Sequence, residues 1–356
     1  MSDDNIGSGG SETKPMSNIV TTDTKHSLKI ALSPGEPSGI GPDIAITISQ
    51  LQRTEKTLVY ADPKIIADRA KLLHIDLNIV ELEGVESVQP HKPGTMQIVP
   101  VQSKVKVVPG EPNPDNSSYV LDCLDQAIDA CSSSKLDAIT TGPISKEVIN
   151  QAGVPFSGHT QYLADRLGSQ RPVMMLVSGK LRVVLLTTHI PLKDVPNAVT
   201  STLIKHVTTI VHQELNDKFG INSPNIWLCG LNPHAGEGGY LGQEEITVIS
   251  PSAMELRNEG IKVTGPVSAD SAFTASQREK YDAIISMYHD QGLTALKTLG
   301  FGEAVNVTLG IPIVRTSVDH GTGLDIAGTG KSSAGSLIAA IDLAKSIVKI
   351  KKLQKK

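Results

Sequence analysis

Three histidines in this chain each stand just past a short, strongly apolar run. Residues 181–188 lead into His189, 226–233 into His234, and 283–288 into His289, which Asp290 follows. Short β-rich apolar runs separated by helical patterns read as buried strands of a parallel sheet. In such sheets ligands collect beyond the carboxyl ends of the strands. Three imidazoles brought together there can form a metal site with coordination positions left open for a substrate. One histidine so placed is more often a strand cap or a partner for a backbone carbonyl; three in the same topological position favour a site.

Other residues suggest an anion. The turn Pro34-Gly35-Glu36-Pro37-Ser38-Gly39-Ile40-Gly41-Pro42 joins a strand to a helix. Its glycines permit close approach of a ligand, and free amides at the helix start favour a negative charge. It is not the dinucleotide fingerprint, because after Gly39 and Gly41 the third glycine would fall at Ile44. Residues 325–332 approximate a P-loop, but Asp325 replaces the first glycine and no clear strand leads into it, so an NTPase is rejected. A polar turn at Gly158-His159-Thr160 opens a helix over 161–167 and places His159 and Thr160 where helix amides receive phosphate. Thr160 as an ordinary N-cap is an equal reading. Asn306, inside an apolar strand, needs a partner. Asp270 caps a helix or serves a site. Lys297 and Arg315 each read, singly, as solvated surface charges.

The elements that must position these groups alternate along the chain. Strands are expected at 28–32, 58–61, 77–82, 96–101 and 136–141, then ending at Leu176, at the three histidines, near Val307 and near Val314. Helices are expected at 43–52, 63–73, 118–132, 201–219 and 334–350. His206 and His212, on the longest of these, read as surface or packing residues. Strand–helix alternation argues an α/β architecture with right-handed crossovers. At 356 residues the chain is long enough for two domains. Packing of the last helix back on the first would make that domain discontinuous. A net charge of −4 excludes general attraction to nucleic acid or anionic membrane, and no apolar run approaches the roughly 18 residues that span a bilayer. Cys123, Cys131 and Cys229 form neither a CxxC pair nor an even disulfide set, which points to a reducing cytoplasm. Residues 1–26 are polar and glycine-rich, expected as a disordered tail, and carry no signal-type apolar stretch.

Taken in order, the motifs resemble the 4-hydroxythreonine-4-phosphate dehydrogenase family of pyridoxal phosphate biosynthesis. The matching segments begin with Gly35-Glu36-Pro37-Ser38-Gly39-Ile40-Gly41-Pro42, Thr141-Gly142-Pro143, Pro155-Phe156-Ser157-Gly158-His159-Thr160 and Thr187-Thr188-His189. They continue with Gly230-Leu231-Asn232-Pro233-His234-Ala235-Gly236-Glu237-Gly238-Gly239, Met287-Tyr288-His289-Asp290-Gln291-Gly292 and Arg315-Thr316-Ser317-Val318-Asp319-His320-Gly321-Thr322. The resemblance runs from Leu28 to the C-terminus. It implies an α/β fold of the isocitrate/isopropylmalate dehydrogenase type, with two α/β domains flanking a central cleft. The first would hold 27–143 plus 316–356, and the second, 144–315, most metal and substrate residues. A homodimer with the active site at its interface is implied as well.

By the same resemblance His189, His234 and His289 bind one divalent metal (Zn, Mg or Co), shared across the dimer. His159, Thr160, Lys297, Asn306 and Arg315 hold a phosphorylated substrate. The stretch from His320 through Gly321, Thr322 and Asp325 to Gly328 resembles the non-Rossmann NAD loop of decarboxylating dehydrogenases, with Asp325 near the adenosine; NADP is the alternative cofactor. The implied reaction oxidises 4-(phosphooxy)-L-threonine at its C3 hydroxyl to 2-amino-3-oxo-4-(phosphooxy)butanoate, which decarboxylates to 3-amino-2-oxopropyl phosphate. Asp270 or Asp290 would relay the proton or orient an imidazole. One departure is Gln161, where family members commonly carry Glu. It leaves open a sister dehydrogenase for 4-phospho-threonate or 4-phospho-erythronate. A metal-dependent hydrolase or a phospho-ligand binder is a third reading, which the nucleotide-type loop disfavours.

Overall fold

The computed structural model describes residues 27–300 and 302–354; the tail expected over 1–26 lies outside them. The strands are β1 (Lys29–Ser33), β2 (Lys56–Ala61), β3 (Asn78–Glu81), β4 (Thr95–Pro100), β5 (Ala138–Thr141), β6 (Val173–Ser178), β7 (Leu181–Leu185), β8 (Ile226–Cys229), β9 (Val263–Val267), β10 (Ala283–Ser286), β11 (Val305–Leu309) and β12 (Arg315–Val318). The helices of the first half are α1 (Gly41–Ser49), α2 (Pro63–Leu72), α3 (Ser117–Ser132), α4 (Lys146–Gln151) and α5 (His159–Arg166). Those of the second are α6 (Val195–Ala198), α7 (Ser201–Phe219), α8 (Ser250–Asn258), α9 (Ala269–Ala272), α10 (Ala275–Arg278), α11 (His289–Leu299) and α12 (Gly335–Gln354). No helix among the described residues is long and apolar enough to cross a membrane.

All twelve strands join one sheet, in the order β3-β4-β2-β1-β5-β12-β11-β6-β7-β10-β8-β9. The strands of 27–143, with β12, fill one half of it, and those of 144–315 fill the other. Both wings are parallel, as expected, but the centre is not: β11 runs antiparallel to β12 and to β6, and β6 antiparallel to β7. The cause is local. Only Gly179 and Lys180 separate β6 from β7, and Gly179 takes φ +56°, so the chain reverses in a two-residue hairpin. The strand expected to end near Val314 also shifts. Gly310-Ile311-Pro312-Ile313 bends, and the strand starts at Arg315 instead. The edge strand β9 was not anticipated.

Apolar side chains on both faces of the sheet form the core. One cluster joins Ile30 and Ala138 to Val184, Leu228 and Ile285, and so runs across both halves. The final helix is part of that continuity. Its Leu337 and Ile341 pack with Ile44 and Ile48 of α1, while Ala344, Ile347 and Val348 pack with Val207, Val211 and Leu215 of α7. It therefore bridges the two halves rather than resting on the first alone.

The glycine-rich turn after β1 is a backbone knot. A Cβ on Gly39 would lie 2.5 Å from the Thr322 carbonyl oxygen, and one on Gly41 2.0 Å from that of Pro34. The close approach shown here is to the protein's own backbone. Two of the turn's amides are spent within the protein: Gly39 N–H donates to the Glu36 carbonyl and Ile40 N–H to that of Thr322. Buried Arg69 donates to the carbonyls of Gly39 (2.8 Å) and Pro37 (2.9 Å) and pairs with Asp43. Asp43 also accepts from Gly328 N–H at 2.7 Å. The knot thus ties β1 to the loop after β12. Gly41→Ala should destabilise the protein by roughly 1–3 kcal/mol, because the obstructing atom is backbone and cannot rotate away. Urea unfolding checks this, and an unchanged midpoint would show that the turn yields.

Candidate active site

Strands β7, β10 and β8 are neighbours, and all are parallel. Their exits therefore open on one edge of the sheet, and each exit carries one of the three histidines. The His189 and His289 rings stand 5.6 Å apart, centroid to centroid. His234 sits by another element, its Nδ1 4.0 Å from an oxygen of Asp270. Among the described residues no three His, Cys, Asp or Glu side chains converge closely enough to hold a metal. One chain thus pairs two of the imidazoles and leaves the third aside. Asp290 accepts from His289 Nδ1 at 2.7 Å. Asp270 accepts from Ser268 Oγ (2.6 Å) and Ser271 N–H (2.8 Å), and these bonds hold its carboxyl below the ordinary range. Burial, then the charges of Lys146 and His289, make His189 harder to protonate.

The His234 turn, Pro233–Gly239, is unusual backbone. His234, Ala235 and Glu237 all have positive φ (51°, 52° and 44°), a conformation that costs about 1–2 kcal/mol per non-glycine residue. Such strain persists only where the surroundings over-determine it. Here the anchor is buried Glu245, which accepts from Asn232 N–H (2.7 Å) and from its side-chain amide (3.0 Å), while Glu244 accepts from that amide at 2.7 Å.

A cavity of about 580 Å³ lies at the junction of the two sheet halves, lined by His159, Thr160, Asn306, Arg315, His189 and His320 among others. Arg315 opens β12 and is 2% exposed. This overturns its reading as a solvated surface charge. It donates to Thr308 Oγ1 (3.0 Å) and Thr141 Oγ1 (2.8 Å); among the described residues its Nε has no partner and no carboxylate pairs with it. Burial pushes its pKa down to about 9. Burial, then the charges of Arg315 and Lys146, holds His159 well below the ordinary histidine range, so at neutral pH it is uncharged. Asn306 Oδ1 is buried and unpartnered. The cavity is thus electropositive and holds unsatisfied polar groups, the environment an anionic ligand with acceptor and donor oxygens completes. Lys146 and His206 also line it. The sequence reading missed both; Lys146 carried no signal beyond its place ahead of Gly158-His159-Thr160.

Lys297 is not in this cavity. It borders a second one of about 520 Å³, with Asp319, His320, Ile326 and Lys331. Its ammonium lies 3.2 Å from Asp319, whose carboxyl burial holds above its usual range. His320 lines both cavities. The Thr322 carbonyl accepts from Ile40 N–H and Gly328 N–H donates to Asp43, both in the turn and helix after β1, while Gly321 accepts from His320 Nδ1 at 3.0 Å and Asp325 is exposed beside Ile326.

An α/β sheet with histidines at three adjacent strand exits and a buried cation at its seam defines a ligand-binding enzyme of the α/β class. Comparison with known proteins narrows it. The family model described as pyridoxal phosphate biosynthetic protein PdxA matches residues 53–344. A protein of Erwinia tasmaniensis named 4-hydroxythreonine-4-phosphate dehydrogenase is 47% identical over 321 residues, covering 90% of this chain and 97% of that one. One of the same name from Serratia proteamaculans is 48% identical over 316 residues, covering 89% and 96%. The crystal structure of 4-hydroxythreonine-4-phosphate dehydrogenase from Klebsiella pneumoniae superimposes with a TM-score of 0.83 at 33% identity, covering 90% of this chain and 98% of that one. The chain belongs to the PdxA family of pyridoxal phosphate biosynthetic proteins, and it is an oxidoreductase.

Arg315→Met removes the buried cation, so protonating His159 becomes easier and its pKa should rise towards the ordinary value. Anion affinity should fall by an amount equivalent to roughly 2–5 kcal/mol. Histidine NMR titration and calorimetry with inorganic phosphate test both. Unchanged titration together with phosphate affinity within about threefold (below ~1 kcal/mol) would remove Arg315 from the site.

Proposed function

We propose that the protein oxidises 4-(phosphooxy)-L-threonine at its C3 hydroxyl, with NAD as electron acceptor and a divalent metal, to 2-amino-3-oxo-4-(phosphooxy)butanoate, which decarboxylates to 3-amino-2-oxopropyl phosphate. The observation that carries this is the buried Arg315 guanidinium without a carboxylate partner, in a cavity that also holds His189. Relatives named for a phosphorylated substrate have the same family and fold.

Arg315 meets the negative charge of the substrate from within the protein, and its two threonine partners aim its remaining N–H groups. Neutral His159, with Thr160 at the start of α5, donates to phosphate oxygens without adding a further buried charge. Asn306 Oδ1 accepts from a hydroxyl or ammonium. Lys297, across His320, lies where the second cavity would receive the cofactor. The imidazoles suit a divalent metal. Bonded to Asp290 through Nδ1–H, His289 keeps its Nε2 lone pair free for such an ion. A divalent ion held by His189, His234 and His289 would supply Lewis acidity toward the substrate hydroxyl and the carbonyl formed from it. Asp270, facing His234, is the counterpart of Asp290.

Among the described residues one chain does not bring three ligands together, and a metal shared between two copies would complete the set. Large apolar side chains near the histidine loops support this: Tyr240 is 90% exposed and Leu192 67%, and Leu241 and Ile246 are also uncovered. The two sheet halves, 27–143 with 316–356 and 144–315, act as the lobes on either side of the cleft. A cytoplasmic location fits three free, buried thiols. The sister-substrate reading rests on Gln161, which lines the anion cavity and donates to Asp165 at 2.6 Å, adding no charge of its own.

NADH formation should be fastest with 4-(phosphooxy)-L-threonine among phosphorylated hydroxy acids, and chelator should abolish it. His189→Ala, His234→Ala and His289→Ala should each lose turnover while unfolding normally. Faster oxidation of 4-phospho-threonate or 4-phospho-erythronate would hand the assignment to the sister reaction, and chelator-resistant turnover would sink the metal.

A carboxylate at Asp325 can accept from ribose hydroxyls and repels a 2′-phosphate. Asp325→Asn should therefore weaken NAD and relax discrimination against NADP. Titrating both nucleotides decides this: an unchanged ratio moves selection to another residue.

A further inference from the structure

A single hydrogen-bond chain ties the three histidine loops to one another. Buried Thr187, two residues before His189, donates from Oγ1 to the Met287 carbonyl at 2.7 Å, and its own N–H reaches the same oxygen at 3.3 Å. Met287, two residues before His289, donates its N–H to Gln291 Oε1 at 2.7 Å. The other end of that amide, Nε2, donates to the Gly230 carbonyl at 2.8 Å. Gly230 follows β8 and leads through Asn232 to His234, and its N–H donates to the carbonyl of Val267 of β9 at 2.8 Å.

Gln291 therefore spends its one acceptor and one of its donors on the backbones of two different loops. Reversing the amide would set NH₂ against N–H and oxygen against oxygen, so the contacts fix its orientation. Its reach depends on how close α11 lies to the sheet. At the next residue, Gly292, a Cβ would stand 2.1 Å from Ser286 Oγ and 2.6 Å from Val183 Cγ1. None of Thr187, Met287, Gln291 and Gly230 lines the anion cavity. A substrate-binding role does not account for them.

We propose that Gln291 and Thr187 are positioning residues that set the spacing of the three histidine-bearing loops; this rests on reading those histidines as metal ligands. The strand exits alone leave each loop free to drift independently. Outer-shell bonds made directly to metal ligands commonly control metal affinity by 10–100-fold, and ties on the loops that carry the ligands act through the same positioning.

The test uses the full-length, metal-free protein with Thr187→Val, Thr187→Ser and Gln291→Leu. Co²⁺ titration followed by its visible absorption reports affinity and ligand geometry, and amide hydrogen exchange reports the loops without metal. Thr187→Val and Gln291→Leu should each weaken Co²⁺ by 10–100-fold and alter the absorption band, while Thr187→Ser retains both. In the two weakened variants, exchange should quicken in segments 187–190, 230–240 and 287–291 together. Folded variants with wild-type Co²⁺ affinity, or exchange changes confined to the substituted segment, would overturn the proposal. So would a loss in Thr187→Ser equal to that in Thr187→Val, which would assign the effect to packing. Should Gln291→Leu fail to fold, Thr187→Val, which keeps the backbone bond, decides alone. If the wild-type protein binds no Co²⁺, the ligand reading fails, and hydrogen exchange by itself decides whether the chain couples the loops.

Discussion

A guanidinium held out of water with no carboxylate beside it is the constraint around which the rest of this molecule is arranged. Arg315 opens β12, the strand through which the two halves of the sheet meet. Its hydroxyl partners come from either side, Thr308 on β11 and Thr141 at the end of β5. Two neutral acceptors do not compensate a buried charge. The field that remains falls into the cavity, where it adds to burial in making His159 harder to protonate. An anion entering there gains the interaction that the fold withholds from Arg315.

The histidine edge follows a different logic. Parallel neighbours β7, β10 and β8 release their chains in the same direction, so a common edge is guaranteed. Distances between loops are not. They come from the tie through Met287 and Gln291 and from the Glu245 anchor beneath His234. Within one chain two imidazoles face each other and the third turns to Asp270. A coordination sphere completed by a second copy would make assembly and metal binding one event.

The glycine-rich turn after β1 shows how much of a turn's chemistry can be spent within the protein. Its glycines do mark close backbone approach. The approaching atoms are carbonyls of Pro34 and Thr322, and Arg69 and Asp43 bind what is left. The spacing of glycines records that something comes near; it does not record what.

Periodicity and turn residues are local, and they made most strands and helices, the α/β class and the three histidine positions legible from the chain alone. The reversal at Gly179 and Lys180 was no part of that pattern: a parallel sheet was expected, and the hairpin that breaks it comes from the structure. The sequence did not show that Arg315 would be buried, because Thr141 lies 174 positions away and strand order alone brings them together. Nor did it separate Lys297 from Arg315, which the sheet assigns to different cavities. Residue type and spacing determine which chemistry is available; burial and pairing depend on which distant strands become neighbours, and only the assembled sheet decides that.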